Sequence, residues 1–246
     1  MQFRVVGEDM QALIVDLAPS ESVQAEAGAF LYMTDAVQMD TQMRGGIMGG
    51  LQRLMAGATL FMTHFRAAGA PGQVAFAAPY PGTLRELPIQ GEGWLCQRDS
   101  FLVSTEGVEI TVAFTKRFGA GLFGGEGFVL QQLRGQGNAF IHGGGTFLDF
   151  ELTPGQTLRV DTGCIVAFEP TVTYDIQFVG GFSNVLFGGE GMFQALLAGP
   201  GRCILQTLPF SRLVGRIAGS SSPRGESSAG GLLGQIGGIG RIFGND

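Results

Sequence analysis

Six residues recur letter for letter in this chain: LFGGEG at Leu122 to Gly127, and again 64 positions later at Leu186 to Gly191. Self-similarity at a fixed offset points to one small structural unit used more than once. Holding that offset without a gap places Gly91 on Gly155, Trp94 on Leu158, Phe101 on Ile165, Gly135 on Gly199 and Phe140 on Ile204. A looser upstream copy aligns Phe30 with Phe101 and Ile165, Pro19 with Pro154, Val23 with Trp94, and IMGG at Ile47 to Gly50 with LFGG. Phe61 then falls on Phe140 and Ile204. The upstream offset drifts from 71 to 79, which predicts a first copy about seven or eight residues shorter between these landmarks.

Each copy reads as an alternating strand, a turn and a second strand, with Ala12 to Leu17 and Phe147 to Leu152 as examples of the first. A glycine hinge and a short helix are expected next, at Leu51 to Ala56, Val129 to Arg134 and Phe193 to Ala198. Each pairs apolar residues at i and i+4 and ends on a glycine, Gly57, Gly135 or Gly199. The glycines Gly49, Gly50, Gly124, Gly125, Gly188 and Gly189 are read as the hinges. With 42 glycines and only 15% charged residues, the composition suits short strands better than a helical bundle. The expected fold is mainly β: three tandem repeats, about 1–71, 72–145 and 146–218, with one short helix each, packed as one body. One unit of some 60 residues buries too little apolar surface to stand alone. Residues 219–246 read as a flexible connector, from Gly219 through Ser220, Pro223 and Gly225, and a Gly-rich apolar tail.

The formal charge of −6, with 15 basic residues and no basic run, excludes the phosphate-neutralising patch of a nucleic-acid binder. The first ten residues carry Arg4, Glu8 and Asp9 and lack an apolar signal-peptide core. No apolar run reaches the roughly 18 residues of a membrane span. A cytoplasmic location is expected. Cys96, Cys164 and Cys203 are odd in number and form no C-x-x-C pair, so all three read as small core hydrophobes.

The three glycine hinges, the strand at Ser100 to Thr105 and the Gly/Leu tail resemble the mitochondrial-biogenesis family named for altered inheritance of mitochondria, member twenty-four, and its bacterial relatives. The resemblance spans nearly the whole chain. It implies a triplicated version of the unit in the tryptophan RNA-binding attenuation protein, a variant of the double-stranded β-helix. It carries over no catalytic residue, and it only suggests membrane work. The first unit departs from the pattern, with Leu51 where the others have Glu126 and Glu190.

The candidate sites have plain structural readings. Gly119, Gly121 and Gly124 fit G-x-G-x-x-G, yet no acidic residue follows in a βαβ context, and the third unit keeps neither of the first two glycines. Glu126 and Glu190 are read as helix-start carboxylates facing the positive dipole end. His64 and His142 are the only histidines, too few for a cupin-like metal site and one position out of register in the alignment. Leu232, Ile236, Ile239 and Phe243 form a helical stripe in the tail, opposed by Gly234, Gly237, Gly238 and Gly240. They are the expected interaction residues, for a protein partner, for self-association or for peripheral membrane contact. No cofactor is expected. The reading is a non-enzymatic binding or scaffold protein, with a small-molecule or metal-binding β-helix domain of cupin-like activity as the alternative.

Overall fold

The computed structural model describes residues 1–40, 62–116, 128–179 and 192–220. After β1 (Gln2–Val6), a first set of strands comprises β2 (Ala12–Leu17), β3 (Ser22–Glu26), β4 (Phe30–Met33), β5 (Val37–Asp40), β6 (Met62–Ala67) and β7 (Gly72–Ala77). A second set has two long strands, β8 (Gly82–Gln97) and β11 (Phe128–Gly144), with β9 (Phe101–Thr105) and β10 (Val108–Lys116) between them. The third is β12 (Phe147–Leu152), β13 (Thr157–Asp161), β14 (Ile165–Phe168), β15 (Thr173–Val179), β16 (Met192–Ala198) and β17 (Gly201–Gln206). A helix, α1 (Phe210–Ser220), follows.

All the ladders are antiparallel, and their partners recur. In the first set β7 lies between β2 and β4, and β6 lies between β3 and β5. In the third, β17 lies between β12 and β14, and β16 between β13 and β15. In the second, the two long strands each serve both layers. Gly82 to Gln90 pair with the far half of β11, Trp94 to Gln97 with its near half, while β9 joins the far half and β10 the near half. The ladder slips between Leu133 and Gly135, where Gly91, Gly93 and Gly135 all have positive φ. A side chain at Gly93 would meet the Leu133 carbonyl oxygen, so this bulge, where both strands turn, requires glycine.

Several expectations change. The segments expected to be helical at Val129 to Arg134 and Phe193 to Ala198 are strands, in β11 and β16. Residues four apart share a face in a strand as they do in a helix, because four is a multiple of the strand period, so Val129 with Leu133 could not separate the two. Gly135 therefore sits in a bulge and ends no helix. The closing strand of the first set is β7, not the neighbourhood of Phe61, and it pairs with β2 and β4. The expected boundary at 71/72 thus falls inside that set. Phe30 pairs with Phe76, 46 positions on, whereas Phe101 pairs with Ile141, 40 positions on, so the first set is longer than the second here, not shorter. Gly219 and Ser220, expected to begin the connector, end α1. The segment Leu51 to Ala56 lies outside the described residues.

Residues Met1–Arg212 form one compact unit and Leu213–Asp246 a second. The core of the first runs across the strand sets. Leu102, Val103 and Phe140 join the cluster of Leu13, Val23, Phe65 and Phe76. Val166, Ala167 and Ile204 join that of Trp94, Cys96, Phe101 and Ile141. Phe128 and Leu130 pack with Phe168, Ile176 and Leu197. Backbone ladders cross the same boundaries, β9 to β3 and β14 to β8.

Candidate functional site: a cleft between two strand sets

Where β8 faces β12 and β17, a cleft of about 620 Å³ opens, lined by residues of the second and third sets. Two arginines cross it in related ways. Arg85 on β8 donates to both carboxylate oxygens of Asp149 on β12, and its guanidinium lies 4.5 Å from the centre of the Phe147 ring. Arg202 on β17 donates through Nε to Glu169 Oε1 at 2.8 Å, its backbone N–H donates to Oε2 at 2.9 Å, and its guanidinium lies 5.0 Å from the Trp94 ring centre. These groups stay partly in water, so each ion pair contributes about 1 kcal/mol or less, and each ring contact a similar amount. Their effect is to hold two arginines over aromatic rings and to fix the shape of the cleft.

Glu86 and Glu151 also line it, setting four carboxylates against two arginines. The lining favours a cationic or polyol guest over an anion. Cys203 reaches the same wall, but burial, with Glu169 nearby as a second cause, pushes its thiol up to about 11, so it stays protonated and poorly nucleophilic at neutral pH. Cys96 is buried, and its thiol is also pushed up, chiefly by desolvation. Cys164, half-buried, departs from the all-core expectation.

Of the candidate-site residues chosen from sequence, the two histidines are the ones the structure describes, and neither lines the cleft. Gly49, Gly50, Gly124, Gly125, Gly188, Gly189, Glu126, Glu190, Leu232, Ile236, Ile239 and Phe243 lie outside the described residues, as do Gly119 and Gly121. The chain resumes at Phe128 and Met192 as strand, so no helix begins there for Glu126 and Glu190 to cap. His64 is on β6 opposite Gln24, and His142 is on β11 opposite Leu84. His142 is buried edge-on to Tyr80 with ring centres 4.5 Å apart. Burial lowers it to about 4 against a backbone hydrogen bond with Tyr80 that raises it, and its Nδ1 has no partner. Among the described residues no group of three or more His, Cys, Asp or Glu is placed to hold a metal ion.

Arg85, Asp149, Glu169 and Arg202 were not singled out from sequence. One signal pointed to the first pair: the 64-residue register puts Asp149 on Arg85, opposite in charge, whereas Glu169 and Arg202 fall on the uncharged Thr105 and Asn138.

Comparison with known proteins agrees with this architecture. An uncharacterized protein of Streptococcus pyogenes serotype M6 is 26% identical over 211 residues, covering 82% of this chain and 84% of its own. An X-ray structure of a Streptococcus pyogenes protein superposes with a TM-score of 0.72 at 22% identity, over 89% of this chain and 99% of that one, a likeness of fold. Among the described residues no helix is long and apolar enough to cross a membrane. The family model described as Mitochondrial biogenesis AIM24 matches residues 3–208, and the chain belongs to that family.

Proposed function

We propose that this chain is a non-enzymatic binding or scaffold protein, built from three units of the kind found in the tryptophan RNA-binding attenuation protein. The observation that carries this reading is the cleft between the second and third strand sets. Arg85 reaches Asp149 and Phe147 of the neighbouring set, Arg202 reaches Trp94 of the neighbouring set while paired with Glu169 of its own, and the one thiol is held protonated. Such groups fasten units together; none is poised as a nucleophile or as its activating base. The recurring ladder scheme supports the three-unit reading, each set placing one central strand in each of two layers. Partners are proteins, further copies of the chain, or a membrane surface met by the tail, and the location proposed is cytoplasmic.

The test is a thermal-shift survey of the full chain with divalent metals, polyamines, sugars and nucleotides. A scaffold gives no shift beyond about 1 °C. A ligand at a hundred times its dissociation constant adds about 2.7 kcal/mol and moves the midpoint by several degrees. The volume and acidic lining of the cleft favour one alternative, a small cationic or polyhydroxylated ligand. A shift that disappears in Glu151→Gln identifies it.

A further inference from the structure

The strands that end their sheets among the described residues include β4 in the first set and β13 in the third. Their counterparts in the other sets are paired on that side. Strand β9 takes β3 as its outer neighbour, and β14 takes β8. The junction therefore occurs twice inside the chain, each time joining the third strand of one set to the second strand of the set before it.

The register of the two junctions is the same. Val103 pairs with Phe140 on one side and Ala25 on the other. Ala167 pairs with Ile204 on one side and Cys96 on the other. Tyr32 occupies the matching place: it pairs with Ala75 just beyond the same slip in register, and no strand among the described residues pairs with its other side. On the opposing strand, Ala25 and Cys96 face Thr63 and Gln131, and Val160 of β13 faces Ala195 in the same way. Extending the rule sets Tyr32 opposite Val160 and Met33 opposite Arg159.

Burial follows the junction. Phe101 and Ile165 are 2% and 1% exposed and Val103 and Ala167 are fully buried, whereas Phe30 is 42% and Tyr32 40% exposed. With Leu31 and Met33, β4 is a run of four exposed apolar residues on an open edge, the arrangement that sheet proteins otherwise blunt with charge or cover. We propose that β4 of one copy of this chain pairs with β13 of a second copy, repeating between molecules the junction that joins the sets within one. The inference rests on the reading of three like units. The two surfaces differ, so the contact is head to tail and leads to a ring or an open array.

The experiment is light-scattering mass of the full chain across a hundredfold range of concentration. The expected result is assembly beyond the monomer. Met33→Lys sets an ammonium against Arg159 of the next copy and weakens assembly about fivefold or more, and adding Arg159→Glu to the same chain restores it. Both positions are at the surface, and unchanged far-UV circular dichroism shows that the variants fold. A monomer at all concentrations overturns the proposal, as does an assembly indifferent to Met33→Lys. Neither outcome touches the scaffold reading, which is read by ligand-induced thermal shift; a shift there overturns that reading and leaves the mass result as it is.

Discussion

At the scale of single residues, His142 and Gly93 show how backbone and burial override side-chain chemistry. A histidine held near pH 4 when folded and near 6.5 when unfolded stays neutral in the native state at pH 7. Between these values the unfolded chain binds the extra proton, so this contribution is intact above about pH 6.5 and is lost as pH falls toward 4. In the 64-residue register the third set has Gln206 at this place, a side chain of similar reach that does not titrate. His142→Gln is expected to remove about 2 kcal/mol of the stability lost between pH 7 and 4.5, measured by urea unfolding at both pH values. An identical pH dependence in both proteins would show that the ring does not titrate on unfolding. Gly93 is different in kind: at φ +58, with the Leu133 carbonyl oxygen where a Cβ would stand, Gly93→Ala costs about 2 kcal/mol or more, seen as a lower urea midpoint at unchanged slope.

At the scale of elements, the junctions between strand sets are core, not surface. Ala167, fully buried opposite Cys96, sits in the apolar cluster of Trp94, Phe101 and Ile141. Ala167→Asp is expected to destabilise by about 3 kcal/mol. The same change at the matching position, Tyr32→Asp, stays within about 1 kcal/mol in dilute protein, because that edge is open. Chemical denaturation of the pair measures the difference; equal losses would mean that β4 is covered in the monomer too. The strands expected to be helices belong at this scale as well. Val129 with Leu133 and Phe193 with Leu197 carry an i, i+4 spacing that both periods satisfy, and only the ladders to β10, β13 and β15 decide for the sheet.

For the whole molecule, shared cores predict shared unfolding. Trp94, the single tryptophan, sits where the second set meets the third, under the Arg202 guanidinium. Far-UV circular dichroism reports all the strands. The two signals are expected to give coincident urea transitions, because Met1–Arg212 is one compact unit whose apolar clusters run from set to set. A fluorescence transition that precedes the loss of strand signal would mean that the sets unfold separately.

Repetition and polarity were legible in the residues alone. The LFGGEG offset sets the start of β11 on that of β16, aligns Trp94 with Leu158 and Val23 on matching strands, and with the high glycine content makes a mainly β fold the natural reading. Which short apolar runs are strands, where the first set closes and which charges meet were decided only in three dimensions. Strand identity depends on a partner distant in sequence: β7 closes on β2 about 60 residues before it. The Arg85–Asp149 and Arg202–Trp94 contacts likewise arise from two strand sets packing together, which the sequence of either set does not specify.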